Sequence, residues 1–335
     1  MGVAMVKYSI GDYEFKTEEF FSERILNAIT DVRVNNPAVV LEEAKKRVRR
    51  KALTRDGRLT ILAADQAAGL VSGVKGEPVA MGDRLESLGR VLRVIALSDF
   101  DGMVATPDLV EDLLIVNHLV KGKGGPGFLD EKVILGSMGL PGEMDDRFAS
   151  FTAEAIERMR LDGAKLTFRL EEDEIASDRN IERCAEAIVE LNRLGVPVFL
   201  EALPVKMDAE ALVKIISIAP ALGDSSARTW LMAPYCQGYE RVARTTTLPI
   251  LMVDDEAPGD PRDMLEGFAQ GMRSGANVRG VSVGREVLLP GRDDPLAVAM
   301  AIYKVVHEGF SVKQALMYLM ESRGRDMDFL MRWMG

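Results

Sequence analysis

The segment Asp162-Gly163-Ala164-Lys165-Leu166-Thr167-Phe168-Arg169-Leu170 reads as a short buried strand, apolar and β-prone around a single internal lysine. Seven runs of the same kind flank it, separated by amphipathic stretches. Before it come Leu59 to Ala64 (followed by Asp65), Phe100 to Ala105 and Lys132 to Ser137. After it come Pro197 to Glu201, Thr229 to Ala233, Pro249 to Val253, and Arg279 to Gly284. Eight such units in alternation with helices predict a (β/α)8 TIM barrel of the α/β class. A doubly wound open sheet shares the alternation, but the strand count and the residues at the strand ends favour closure.

The stretches between the runs carry helix signals. Leu109, Leu113, Val116 and Val120 fall at helical spacing behind Thr106-Pro107, an N-cap followed by a first-turn proline. Ile181 to Leu194 stops at Gly195, and Asp260-Pro261 and Asp294-Pro295 open two later helices. Residues 1–58 form an N-terminal helical extension, 59–310 the barrel, and 311–335 a C-terminal amphipathic helical tail. The extension is expected to hold a helix around Thr17 to Ala28 and a basic, solvated one from Val39 to Leu53, with Lys45 to Lys51 as its charged face. The apolar stripe of the tail (Leu316, Met317, Leu319, Met320, Phe329, Leu330, Trp333) is expected to pack on the barrel or on a neighbouring subunit, and a homo-oligomer is expected. Gly122 to Gly127 lacks the Lys-Ser/Thr ending of a P-loop and precedes a strand, so it reads as a turn.

The 335 residues carry a net charge of −10, which disfavours nucleic acid as a partner. Two cysteines, Cys184 and Cys236, are too few for a disulfide framework, and two histidines, His118 and His307, read as structural or surface residues. A histidine-rich zinc site and a Ser-His-Asp triad are therefore disfavoured. No apolar run reaches the roughly 20 residues that span a bilayer, and no signal peptide is evident, so a cytoplasmic protein without membrane partners is expected.

In a barrel, side chains at the C-terminal ends of the strands converge on one mouth, where the chemistry is done. That mouth is expected to hold Asp65 and Gln66, Lys165 and Arg169, Glu201, Asp254 and Asp255, and Arg285, with Asp101 a further contributor. Burial lowers a lysine's pKa, and a neutral amine attacks a carbonyl to give an imine. Lys165 flanked by Asp65 and Glu201 thus suits imine formation with two proton-transfer groups; the bland alternative is a buried ion-pair network. Gly284-Arg285 closes the last strand, where barrels that take sugar phosphates often bind the phosphate, and Gln66, Arg169, Gly284 and Arg285 are the candidate substrate-binding residues. Arg169 and Arg228 suit an anionic group or an ordinary ion pair equally well. No cofactor and no resident metal are expected.

From about residue 58 to 300 the chain resembles the class I (Schiff-base) aldolase superfamily, which includes deoxyribose-phosphate, tagatose-bisphosphate and archaeal-type fructose-bisphosphate aldolases. It looks nearest to an aldolase-like branch associated with myo-inositol catabolism. The resemblance rests on Leu62-Ala63-Ala64-Asp65, Asp101-Gly102, Thr106-Pro107-Asp108, Gly125 to Asp130, Ile134 to Met138, Asp145 to Phe148, Asp162 to Lys165, Ser225 to Leu231, and Gly280 to Arg285. It implies a lyase acting on a small-molecule carbonyl, a keto sugar or sugar phosphate. It also implies an imine-forming lysine closing the sixth strand, where this chain has Met232. Gln66 stands where the related branch has a histidine, Asp254-Asp255 where a glycine pair is expected, and Ser137-Met138-Gly139-Leu140 lacks expected polar residues. Three readings follow: an aldolase with Lys165 as a relocated imine-forming lysine, a metal-dependent lyase or isomerase using Asp65, Glu201, Asp254 and Asp255, or a catalytically silent paralogue that binds a metabolite or partner.

Overall fold

The computed structural model describes residues 7–69, 71–73, 78–138, 150–170, 174–204, 206–254 and 260–335. Eight parallel strands close into one barrel in chain order: β1 (Leu59–Ala64), β2 (Gly102–Ala105), β3 (Val133–Ser137), β4 (Gly163–Arg169), β5 (Val198–Leu203), β6 (Thr229–Pro234), β7 (Ile250–Asp254) and β8 (Val278–Val283). All eight runs read from the sequence are strands, and β1 pairs with both β2 and β8 to complete the ring.

Alternation along each strand separates two cores. On β4, Ala164, Leu166 and Phe168 pack outward among the helices, and on β5 Val198, Leu200 and Ala202 do the same. The opposite set fills the barrel, with Leu59, Ile61, Val104, Val133, Leu135, Phe199, Met232 and Leu251 in one cluster. Two positions admit only glycine. A Cβ on Gly102 would lie 1.8 Å from the Val133 carbonyl oxygen, and one on Gly280 (φ +136°) would lie 1.8 Å from that of Leu59. Those close approaches set the spacing of β2 against β3 and β8 against β1 at the N-terminal end.

The outer helices follow their sequence signals. Pro107–Gly122 begins after Thr106, and Gly195 (φ +73°) stops Glu174–Leu194. Asp260 and Asp294 accept hydrogen bonds from the second-residue amides of their helices. Gly122 ends helix Pro107–Gly122, and Lys123 to Gly127 form the turn before β3. In the tail, helices Val312–Ser322 and Phe329–Met334 bury Leu316, Leu319, Phe329 and Leu330 against the chain's own barrel helices. Among the described residues, no helix is long and apolar enough to cross a membrane.

Three expectations are corrected. Residues 17–28 form two helices, Thr17–Phe20 and the start of Glu23–Asn35, and the basic helix stops at Lys46. The remainder of the basic run is an extended clamp, not a solvated helix face. Arg47 is buried and pairs with Asp162 at 2.9 Å, Arg49 reaches the same carboxylate at 2.7 Å, and Arg50 pairs with Asp101 at 2.8 Å. Carboxylates at the strand starts draw the guanidinium groups inward, and each gains a charge-assisted hydrogen bond in exchange for water. Asp101 precedes β2, so it belongs to this face and not to the mouth. There it also accepts from the Thr60 amide (2.8 Å) and meets His307 Nε2 (3.1 Å), whose Nδ1 lies 2.8 Å from Asp56. Arg228, just before β6, is exposed at the same end.

Candidate active site

The strand alternation that points Ala164 and Leu166 outward points Lys165 into the barrel. Ser137 is paired in register with Lys165, Thr167 with Glu201, and Glu201 with Met232, so these positions turn toward one enclosed space. Asp65 follows directly on β1 and closes the group from the far side. Lys165 Nζ lies 3.0 Å from Asp65 Oδ2 and 3.1 Å from Glu201 Oε2. Two hydroxyls hold the carboxylates: Ser137 Oγ donates to Asp65 Oδ2 at 2.8 Å, and Thr167 Oγ1 donates to Glu201 Oε2 at 3.0 Å. The second oxygens, Asp65 Oδ1 and Glu201 Oε1, accept no hydrogen bond among the described residues. Two residues closer to the N-terminal end, the rings of Phe199 and Trp230 stack at 5.9 Å and form an apolar floor.

This geometry reverses the expected direction of the Lys165 pKa. Burial alone would lower it, but Asp65 and Glu201 outweigh burial and raise it above the ordinary lysine value. The charged form of the amine is the one this geometry favours.

The other sequence candidates are scattered. Gln66 is buried, but its Nε2 donates to the Ala63 carbonyl at 2.9 Å and makes no contact with Lys165. Arg169 is exposed at the end of β4, and its backbone amide donates to Asn180 Oδ1. Gly284, read as an anion donor, already donates its amide to Glu286 Oε1 at 2.9 Å, so the chain's own carboxylate occupies that donor. Arg285 opens the short helix after β8, with Nη1 3.5 Å from the Gly73 carbonyl oxygen. Asp254 closes β7, while its side chain, all of Asp255 and the segment from Gly139 to Ala149 lie outside the described residues. Among the described residues, no three His, Cys, Asp or Glu side chains gather as a metal-ligand cluster. Sequence reasoning missed Ser137 and Thr167. Both sit on the inward phase of their strands, Ser137 in register with Lys165 and Thr167 with Glu201, and that period of two was the signal that could have found them.

Comparison with known proteins places the chain in a family. No curated protein matches. The structure of Cgl0159 from Corynebacterium glutamicum superposes with a TM-score of 0.77 at 28% identity, covering 87% of this chain and 99% of that one. A Schiff base-forming fructose-1,6-bisphosphate aldolase superposes with a TM-score of 0.55 at 18% identity, covering 80% of this chain and all (100%) of the other. Fructose-bisphosphate aldolase from Slackia heliotrinireducens gives 0.56 at 13% identity, with 91% and 95% coverage. At those two identities the likeness is one of fold. The family model described as Cgl0159-like matches residues 57–304, which include all eight strands, and the chain belongs to that family.

Proposed function

We propose that this protein is an aldolase-like lyase in which Lys165 forms an imine with a small keto sugar, with Asp65 and Glu201 moving the protons. The observation that carries the reading is the amine of Lys165 inside the barrel mouth, within 3.1 Å of two carboxylates whose second oxygens accept no hydrogen bond among the described residues. A structural ion pair needs only one carboxylate. A second one gives the site a net negative charge that can accept the ammonium proton when substrate displaces water.

The steps balance with these three groups. Lys165 passes a proton to a carboxylate, and its lone pair forms a C–N bond to the substrate carbonyl carbon. The displaced π pair settles on oxygen, which takes that proton back and gives a carbinolamine. A second proton transfer from nitrogen through a carboxylate to the hydroxyl allows the C–O bond to break, releasing water and leaving an iminium. A carboxylate then removes the proton from the hydroxyl β to the iminium carbon. The C–C bond breaks, its electron pair flowing to the iminium to give an enamine and a free aldehyde. Met232, inward and buried at the register position beside Glu201, supplies apolar packing where the aldolase resemblance expects the lysine. The engaged Gly284 amide favours a donor without a phosphate at that position.

Borohydride reduction in the presence of small ketones and keto acids, with and without phosphate, tests the reading by peptide mass spectrometry. The expected product is a secondary-amine adduct on Lys165 with at least one carbonyl, absent in Lys165→Met. Folded protein that yields no adduct with any of them overturns it.

A further inference from the structure

The N-terminal face of the barrel carries a second cluster of titratable groups, centred on His307 in the last turn of helix Pro295–Glu308. The ring stacks on Tyr303, with centroids 4.5 Å apart, and the side chain is 7% exposed. Nδ1 lies 2.8 Å from Asp56 Oδ2, and Nε2 lies 3.1 Å from Asp101 Oδ2. A neutral imidazole has one N–H and one lone pair, so it can donate to only one of these carboxylates. Both contacts together require the imidazolium, and a cation there also suits the carbonyl end of the helix.

We infer that His307 is a proton-gated latch between the turn that enters β1 and the last barrel helix: charged, it holds both carboxylates, and on losing its proton it keeps Asp101 and releases Asp56. The two carboxylates differ in what else holds them. Asp101 is buried and also accepts from the Thr60 amide at 2.8 Å, from Thr60 Oγ1 at 3.2 Å and from Arg50 at 2.8 Å. Asp56 has a side chain 44% exposed and sits in a tight turn, where Gly57 takes φ +83° and Asp56 Oδ1 accepts from the Arg58 amide at 3.0 Å. Among the described residues, its Oδ2 accepts only from His307. A lone pair on Nε2 would face a carboxylate that cannot move away, whereas one on Nδ1 would face a carboxylate that can turn into water. The neutral ring therefore keeps its proton on Nε2.

The other charged groups around the ring leave this order unchanged. Arg50 is paired with Asp101, and Lys132 donates to the Ser98 and Phe100 carbonyls at 2.8 and 2.6 Å. Arg58 donates to the Val306 carbonyl, and Glu308 pairs with Lys304 at 2.6 Å. Asp99 adds negative charge beside Tyr303, which favours a charged ring. Burial opposes ionisation of Asp56 and Asp101, but their bonds to His307 outweigh it and hold both below the ordinary carboxylate value. The latch is therefore closed in the mildly acidic range and opens as pH rises through the raised His307 value.

The chain has two histidines, so ¹⁵N labelling of the imidazole rings in the full chain gives two sets of NMR signals, and His118→Gln assigns those of His307. Near pH 6.5, where an unperturbed ring is half neutral, both His307 nitrogens are expected to be largely protonated; above its transition Nε2 alone keeps a proton. Across the same transition the Arg58 amide should exchange with deuterium about three- to tenfold faster, relative to its intrinsic rate at each pH, as its acceptor swings away. Asp56→Asn should erase that step and lower the His307 transition while the neutral ring stays protonated on Nε2. The inference is overturned by a His307 that titrates at or below the unperturbed value, by a neutral ring protonated on Nδ1, or by an exchange step that is absent in the parent chain or survives in Asp56→Asn. None of these readouts involves imine formation, so they stand whatever trapping at Lys165 gives.

Discussion

Replacing Lys165 by methionine removes the positive charge between Asp65 and Glu201 while roughly keeping the volume. The two contacts, at 3.0 and 3.1 Å, are each worth about 5 kcal/mol of gross attraction at an effective dielectric near 20. Desolvating the ammonium and both carboxylates returns several kcal/mol of that. The variant, however, keeps two buried carboxylates with no cation, and breaking a buried pair from one side costs about 3–5 kcal/mol. The loss depends on pH with a definite sign. In the variant the two buried carboxylates repel each other with no cation between them, and taking up a proton on either relieves that repulsion. The folded state then binds more protons, so the variant regains stability as pH falls toward 5 and loses it as pH rises. Urea unfolding at pH 5 and pH 7.5 reads this out. The expected deficit against the parent chain is about 3 kcal/mol or more at pH 7.5 and visibly smaller at pH 5. Lys165→Met/Glu201→Gln should recover a large part of it by removing one repelling charge. A single variant within about 0.5 kcal/mol of the parent at pH 7.5 would refute the trio as described, because only an amine already free of both carboxylates can be lost so cheaply.

Three further predictions test the site and its frame. Asp65→Asn and Glu201→Gln should each slow borohydride-trappable imine formation by about 10²–10⁴-fold while leaving the protein folded, as measured by adduct yield against time and by circular dichroism. At the opposite face, burial works against a charged His307, but hydrogen bonds to Asp101 and Asp56 outweigh it and raise its pKa. Its contribution is then fully present below the unfolded value near 6.5 and lost as pH rises through the folded value; His307→Gln should be less stable than the parent at pH 6 and converge with it in alkali, read by urea midpoints. Gly280→Ala should destabilise the barrel by roughly 3 kcal/mol or more, since its Cβ would meet the Leu59 carbonyl oxygen at 1.8 Å, and a thermal melt within a degree of the parent would contradict that contact.

The barrel was legible because each strand announces itself locally. An apolar run with period-two alternation and a capped helix behind it requires no knowledge of distant partners, and β4 begins and ends where the Gly163 to Arg169 pattern does. The trio was legible for the same reason, since Lys165 and Glu201 sit on the inward phase of β4 and β5 and Asp65 directly follows β1. What the sequence hid was pairing. Arg47, Arg49 and Arg50 look like a solvated face until Asp162 and Asp101 are brought against them from far along the chain. Asp101 was assigned to the wrong end because it flanks β2, and a flanking carboxylate reads alike at either end of a short strand. The direction of the Lys165 shift failed on the same ground. Burial shows in local sequence, whereas two carboxylates reaching the amine from other strands do not.

That raised pKa bears directly on how the proposed chemistry would run. An amine kept neutral by an apolar pocket is reactive at rest, whereas one clamped by two carboxylates is held in reserve. The clamp loosens only when something replaces the water around it. Carbonyl substrate entering the mouth strengthens every charge interaction there by excluding solvent, and a site with two negative charges and one positive charge lowers that cost by neutralising one pair. In the proposed mechanism, proton transfer from Lys165 to a carboxylate would do this in one step, producing the nucleophile and the acid that carbinolamine dehydration needs. The hydroxyls of Ser137 and Thr167 donate to Asp65 and Glu201 respectively, but the two acids differ in exposure, with side chains 7% and 15% exposed. The more exposed Glu201 is the better placed to exchange its proton with solvent between turnovers, and the more enclosed Asp65 to hold the amine in line. Substitution at Glu201 should therefore alter the pH profile of trapping, and substitution at Asp65 its rate at every pH.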